Sequence, residues 1–353
     1  MDTADNNQVL ILGSGALADE LAASFRRLGF APAIRSVDSA PLAGPAPVLT
    51  LVCEPAAPED LAAHEATGTL LVPTADACRI TRNREGIRRT AAEEHGLPTM
   101  AYEFIDSFDE LAGSAERVGF PCVVKPCTSR DGAGQTVVHD PADLPAAWDR
   151  AYDPQLDGRV AVESYVDFDY ECTILTVRSI DPETGQLASW FCEPIGTIHE
   201  DGHLVEAWQP APLSEAAMGN ARSIAARISG AIGVQGIYAI DLFVDGDEVY
   251  FSDVTARPTL DGTITSVTQR INEFDLHARA VLGLPIDVTL TTPGAARFAR
   301  GVIPTLEGLA RAMAVAETSV EMIRGTAVVR STGDSVDEAR VRAAEALRAL
   351  LES

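Results

Sequence analysis

Ile237-Tyr-Ala-Ile-Asp-Leu-Phe-Val-Asp-Gly-Asp-Glu-Val-Tyr-Phe-Ser-Asp-Val254 has two apolar arms around Asp245-Gly246, the pattern of a β-hairpin. Each arm holds a carboxylate where an apolar residue is expected: Asp241 between Ile240 and Leu242, and Asp253 just before Val254. A two-residue Asp-Gly loop would put these carboxylates on opposite faces of the ribbon. A three-residue loop with Gly246 as a G1 bulge would put them on the same face. On one half-buried face they repel and require a cation. Hard oxygen ligands completed by phosphate oxygens suit Mg²⁺. Arg257, just beyond the second arm, is placed to pair with a phosphate or acyl-phosphate oxygen.

Upstream, Lys125 is the only lysine among 27 basic residues, and it ends the apolar run Phe120-Pro-Cys-Val-Val-Lys125. A compact ammonium on a flexible stem is what a phosphate site uses where a planar guanidinium does not fit. The loop Thr128-Ser-Arg-Asp-Gly-Ala-Gly-Gln135 follows. Its glycines let backbone N–H groups turn inward around a phosphate. It is not a P-loop, because the lysine precedes the glycines and no helix follows them. Glu163 and Glu171 bracket a short linker between two apolar strands. A carboxylate there can accept both hydroxyls of a ribose, and exposed linker backbone can read adenine.

The opening reads β-α-β, with a strand at 8–12, a helix to about Leu28 and further apolar runs at 33–37, 48–53 and 69–72. Gly13-Ser-Gly15-Ala-Leu-Ala18 followed by Asp38 fits a dinucleotide fingerprint. That rival reading makes the chain an NAD(P)-dependent oxidoreductase, but the opening holds only about four strands, too few for both halves of a dinucleotide fold. One arginine-rich helix is expected over 81–94. From Phe120 onward strands dominate, interrupted by helices at 214–232 and 272–282 and closed by one at 336–351. The fold class expected is α/β joined to α+β, divided as 1–80, 81–285 and 286–353.

A formal charge of −25 argues against a nucleic-acid partner. No apolar run approaches the roughly 20 residues of a membrane span. The polar start MDTADNNQ is unlike a targeting peptide. Six cysteines without a CxxC pair read as buried, reduced thiols of a cytoplasmic protein.

Taken together, these residues resemble the ATP-grasp superfamily, and within it the formate-dependent phosphoribosylglycinamide formyltransferases. The resemblance runs from about Val72 to Pro285. It is dense in Arg82-Asn-Arg-Glu-Gly-Ile-Arg-Arg89, Gly119-Phe-Pro-Cys-Val-Val-Lys-Pro126, Gly132-Ala-Gly-Gln135, Glu206-Ala-Trp-Gln-Pro210 and Glu273-Phe-Asp-Leu-His-Ala-Arg279. It implies an ATP-grasp fold with a small N-terminal parallel-sheet domain and a C-terminal β-rich and helical lobe. It implies ATP and Mg²⁺ as cofactors, and a carboxylate phosphorylated to an acyl phosphate that an amine then attacks. By position, Arg84, Lys125, Arg130, Gly132, Gly134 and Gln135 would contact ATP. Glu163 with Val166 would hold adenine, and Glu171 the ribose. Asp241 and Asp253 would bind the metal, with Lys125 and Arg257 catalytic. Gly15, Ala16, Leu17, Asp261 and Arg324 would line the amine substrate. The family is typically dimeric, so a homodimer is among the expected partners, with small carboxylates and amines.

The departures are specific. Asp241 and Asp253 stand where the family has glutamates, and Ala133 replaces its loop lysine. The second change raises the alternative of a non-catalytic nucleotide-binding protein. Ala16 replaces a substrate-contacting glutamate, the family's Pro-His-Asp-Thr-Gly becomes Pro258-Thr-Leu-Asp-Gly262, and a C-terminal basic pair is reduced to Arg324. The expected activity is therefore an ATP-dependent carboxylate–amine ligase with an acceptor other than glycinamide ribonucleotide. A genuine formate-dependent phosphoribosylglycinamide formyltransferase is the alternative.

Overall fold

The computed structural model describes residues 7–42, 46–128, 134–155, 158–200 and 202–352. Strands β1 (Gln8–Leu12), β2 (Ala31–Arg35), β3 (Leu49–Val52) and β4 (Leu70–Val72) form a parallel sheet in the order β2-β1-β3-β4. β1 and β3 are near-continuous apolar runs because parallel strands are covered on both faces. Helix Gly15–Arg27 lays Leu17, Leu21 and Phe25, spaced one turn apart, into the core that this sheet shares with the body of the molecule.

The second sheet is antiparallel. Its strands are β5 (Tyr102–Ile105), β6 (Cys122–Pro126), β7 (Thr136–Val138) and β8 (Val160–Ser164), in the order β5-β8-β6-β7. Helices Phe108–Val118 and Leu144–Ala151 cover one face through Leu111, Ala115, Ala147 and Trp148. The other face carries Lys125.

The third sheet is the largest, built from β9 (Tyr170–Ile180), β10 (Leu187–Phe191), β11 (Ile195–Glu200), β12 (His203–Gln209), β13 (Gly236–Asp245), β14 (Glu248–Thr255), β15 (Gly294–Arg300), β16 (Thr318–Ile323) and β17 (Thr326–Thr332). The order is β14-β13-β9-β11-β12-β15-β17-β16, with β10 also paired to β9. The strands after residue 286 thus extend the same sheet as those before it, β15 pairing with β12. Helix Glu215–Ile232 packs Ala221, Ile224, Ala225 and Ile228 against one face of β9 and β13. Helix Glu273–Val281 packs against the other.

The single helix expected over 81–94 is instead three pieces: Ala75–Arg82, Arg84–Arg89 and a π-helical turn at Thr90–Glu94. The break is local chemistry. Asn83 is extended, and its side chain accepts the N–H groups of Glu85 and Gly86, capping a new helix. The break frees the Arg84 N–H to bond Cys127 O at 3.0 Å, tying this helix to the end of β6. All six cysteines are free and buried, as expected. Among the described residues no helix is long and apolar enough to cross a membrane.

His277 is 1% exposed, and its Nδ1 accepts the Ile237 N–H at 3.0 Å. Burial lowers its pKa from 6.5 to about 4, so the unfolded chain binds the extra proton between those values. Stability is then full above about 6.5 and falls as pH drops toward 4, by roughly 3 kcal/mol at most from this group. Denaturant titrations of wild type and His277→Gln across this range check it. The variant should show the shallower loss, and equal slopes would contradict the assignment.

Candidate active site

The hairpin geometry is resolved by a bulge, but not the one expected. Asp245 pairs with Glu248 across a two-residue Gly246-Asp247 turn, with Gly246 at φ +57° as such a turn requires. This register alone would leave Asp241 and Asp253 on opposite faces. The ladder then slips between Leu242 and Asp241: Leu242 opposes Phe251, Asp241 opposes Asp253, and Ser252 is the extra residue. The carboxylates end opposed on one face, through a bulge beside them rather than in the loop.

On its other side Asp241 pairs with Thr173 of β9, whose Oγ1 donates to Asp241 Oδ1 at 2.7 Å. Burial raises the Asp241 carboxyl well above its ordinary value, and the charges of Asp261 and Asp253 push it further the same way. Asp253 is half-buried, and its Oδ1 accepts the Val254 N–H at 2.8 Å. Two hard carboxylates held together against their repulsion fit a divalent cation such as Mg²⁺. Among the described residues no group of three or more His, Cys, Asp or Glu side chains is arranged to hold a metal ion. Oxygens from a bound phosphate would complete the shell.

The second wall is cationic. Lys125 Nζ donates to Glu163 Oε2 at 2.6 Å, and Arg88 Nη2 donates to Glu163 Oε1 at 3.0 Å. Arg88 Nη1 also donates to the carbonyl of Phe251 on β14 at 2.8 Å. Arg84 Nη1 donates to Pro126 O at 2.8 Å, beside Lys125. Burial alone would raise the Glu163 carboxyl, but Lys125 and Arg88 outweigh it and hold it at about 2. Burial pushes the Lys125 ammonium below its ordinary value. Glu163 opposes that shift, while Arg84 and Arg88 add to it. Glu163, expected at the adenine, thus has its carboxylate turned to the two cations. Val166, its expected companion, is half-buried in the linker before β9.

Glu171, at the start of β9, meets His199 across β11 at 2.7 Å. Burial alone would lower the His199 pKa, but its hydrogen bond to Glu171 and that residue's charge raise it. A cavity of about 800 Å³ opens here, lined by Glu171, His199, Tyr170, Trp208 and Arg340. Gln135 is exposed, while Gly134 sits where a Cβ would strike the Arg150 carbonyl at 2.9 Å. Arg130, Gly132 and Ala133 lie outside the described residues.

At the third edge, around the first glycine turn, Glu54 Oε1 accepts from Ser14 Oγ at 2.9 Å and from Arg324 Nη2 at 2.6 Å. Arg324 also packs along Gly15. Ala16 is half-buried and Leu17 belongs to the core, so at both positions the helix start offers backbone rather than a polar side chain. Arg257 is half-buried near Cys53, Arg324, Cys78 and Asp253. Burial lowers its pKa, and the neighbouring Arg324 does the same. Asp261 Oδ2 is buried with no hydrogen-bond partner among the described residues. The loop carrying it is fixed by Glu273, which is fully buried and accepts the Thr259 N–H at 3.0 Å.

Reading the residues one by one missed Arg88, Glu54, His199 and Thr173. Arg88 stands in the quoted arginine-rich motif, four residues after Arg84 and so on the same helical face. Thr173 lies two residues beyond Glu171, on the same side of the strand. Nothing in the local sequence marks Glu54 or His199.

The ATP-grasp domain family matches residues 90–274. A formate-dependent phosphoribosylglycinamide formyltransferase of Corynebacterium glutamicum (strain R) is 45% identical, covering 99% of this chain and 95% of its own. One from Paraburkholderia xenovorans (strain LB400) is 40% identical over 97% and 95%. The structure of glycinamide-RNase-transformylase T from Mycobacterium tuberculosis superposes with a TM-score of 0.81 at 35% identity, covering 97% and 99%. Carboxyaminoimidazole ribonucleotide synthase from Aspergillus clavatus, complexed with ATP, superposes at 0.83 with 19% identity, a likeness of fold alone.

Asp241→Asn keeps an acceptor for Thr173 and removes the carboxylate repulsion. In metal-free buffer at pH 8 it should melt higher than wild type, by about 1 kcal/mol of stability. The gain should shrink toward acid pH, where a carboxyl with a raised pKa becomes neutral in wild type. Magnesium should then raise the melting temperature of nucleotide-bound wild type but not of the variant. Equal metal responses in thermal scans would contradict the assignment.

Proposed function

Because the chain belongs to the ATP-grasp family, and within it to the formate-dependent phosphoribosylglycinamide formyltransferases, we propose that it activates a small carboxylate with ATP and transfers the acyl group to an amine. The observation that carries this is the opposed pair Asp241 and Asp253, together with the partly buried Lys125 held by Glu163 on the neighbouring sheet. An oxygen of the carboxylate attacks the γ-phosphorus and ADP leaves. The amine nitrogen then attacks the acyl carbon, loses a proton, and phosphate leaves with the C–O bond electrons. Lys125 and Arg84 hold the nucleotide phosphates and neutralise charge that grows during transfer. Backbone between Glu163 and Val166 holds adenine, and Glu171 takes the ribose once released from His199. Magnesium held by Asp241 and Asp253 would screen the phosphate charge. Arg257 steadies the acyl-phosphate end.

The relatives' name supports formate as the acid and glycinamide ribonucleotide as the amine. That reading replaces our sequence expectation of a different acceptor as the first to test. One observation favours a second acceptor: Arg324, the cation available for a ribose phosphate, is held by Glu54 at 2.6 Å. The amine end comprises Gly15, Ala16, Leu17, Asp261 and Arg324. Action in the cytoplasm and as a homodimer belongs to the same reading and rests on the family alone.

ADP release is measured with ATP, Mg²⁺ and formate or other small acids, with hydroxylamine to trap acyl phosphate. A hydroxamate with formate and saturable turnover of glycinamide ribonucleotide are expected. A hydroxamate without turnover of that nucleotide would move the acceptor to another amine. Neither product with any acid, alone or with the amine, would contradict ligase chemistry. In the same assay Lys125→Met should lower kcat/KM for ATP by roughly 100-fold or more.

A further inference from the structure

The family likeness points Glu163 at the nucleotide base, yet its side chain goes elsewhere. It is 2% exposed, and each oxygen is taken by a different cation: Oε2 by Lys125 at 2.6 Å and Oε1 by Arg88 at 3.0 Å. Arg88 is itself 3% exposed, and its second nitrogen holds the Phe251 carbonyl, next to the Ser252 bulge that aligns the aspartates. A charge buried this deeply persists only with a partner, and loss of one partner from such a set is severe. The three residues come from β6, β8 and helix Arg84–Arg89, so the chain of contacts runs unbroken from Lys125 to the backbone of β14.

We propose that Glu163 is the fixed counterion of Lys125, clamped by Arg88, and that it acts as a positioning residue keeping the ammonium charged and aimed, rather than as a side-chain ligand of adenine. Among the described residues the charged groups around the ammonium are Glu163, Arg84 and Arg88. Glu163 is the only anion among them. Without it, burial and two guanidiniums all favour the neutral amine. A neutral amine would attract phosphate far less. The inference rests on the reading of Lys125 as a phosphate ligand, but part of its test does not depend on nucleotide binding.

The single lysine makes the test direct. Protein labelled with [ε-¹³C]lysine gives one lysine resonance, whose titration follows Lys125 alone. In Glu163→Gln this resonance should titrate at lower pH than in wild type. Titration of Glu163→Gln at the wild-type pH overturns the proposal. Should that variant fail to fold, Glu163→Asp, which keeps the charge on a shorter arm, takes its place: the lysine should titrate at lower pH than in wild type, and titration at the wild-type pH overturns the proposal. ATP affinity of Glu163→Gln should fall with rising pH by about tenfold per unit once the amine loses its proton. Adding Lys125→Arg, whose guanidinium does not deprotonate, should leave an affinity that no longer changes with pH, even though the bulkier head group lowers it at every pH. A merely structural role for Glu163 would weaken binding equally at every pH, which also overturns the proposal. If the lysine shifts as expected but wild type binds no ATP, the counterion role stands and the nucleotide reading falls.

Discussion

Two carboxylates opposed on one rung of a half-buried ladder form the constraint around which this molecule is arranged. Asp241 and Asp253 gain nothing from each other's company, and Thr173 donates only one hydrogen bond to the pair. A single extra residue, Ser252, sets this conflict by rotating Asp253 onto the face of Asp241. The hairpin is in turn pinned to the linker between β8 and β9, where the Gly246 N–H donates to Asp169 Oδ2 at 3.0 Å and the Asp169 N–H to Val244 O at 2.9 Å. The geometry that costs this ladder stability is the one that would suit a cation.

Positive charge gathers on the second sheet, joined to the hairpin through Arg88 and the Phe251 carbonyl. The chain carries a net charge of −25, yet Lys125, Arg84 and Arg88 converge behind β6 and β8. Local placement, not net charge, decides whether a polyanion can approach. Arg88 is the joint between the walls, because its guanidinium bonds Glu163 on one sheet and the Phe251 carbonyl on the other. The edge around the first glycine turn is built differently, from helix-start backbone and the exposed Ser14–Glu54–Arg324 contact.

Much of this was legible before any coordinates. The parallel opening, the hairpin, and the helices at 215–232, 273–281 and 336–351 all follow from periodicity and composition. What was not legible depended on residues far apart in the chain. The pairing of β12 with β15 joins segments separated by about ninety residues, and no local pattern announces that the strands after residue 286 extend the same sheet. The same-face geometry of the aspartates was foreseen as one of two outcomes, but its cause was assigned to Gly246 rather than Ser252. A bulge in mid-strand has no turn residue to announce it. The helix break at Asn83 was missed although asparagine is a common N-cap, because the arginines on either side continue a helical pattern. Glu163 shows the limit most clearly: a carboxylate at a strand end can face solvent, a base or a buried cation, and only the partners from β6 and the helix Arg84–Arg89 decide.

The central claim, that this site makes an acyl phosphate from ATP, is tested most directly by positional isotope exchange. ATP carrying ¹⁸O in the β–γ bridge is incubated with the protein, Mg²⁺ and formate, with no amine present. Reversible phosphoryl transfer to the acid frees the β-phosphate to rotate. The account predicts that label scrambles into the non-bridging β-positions only when a carboxylate is present. Absence of scrambling with formate and every other small acid tested, in protein shown to bind ATP and release ADP from it during turnover with the amine, would contradict it.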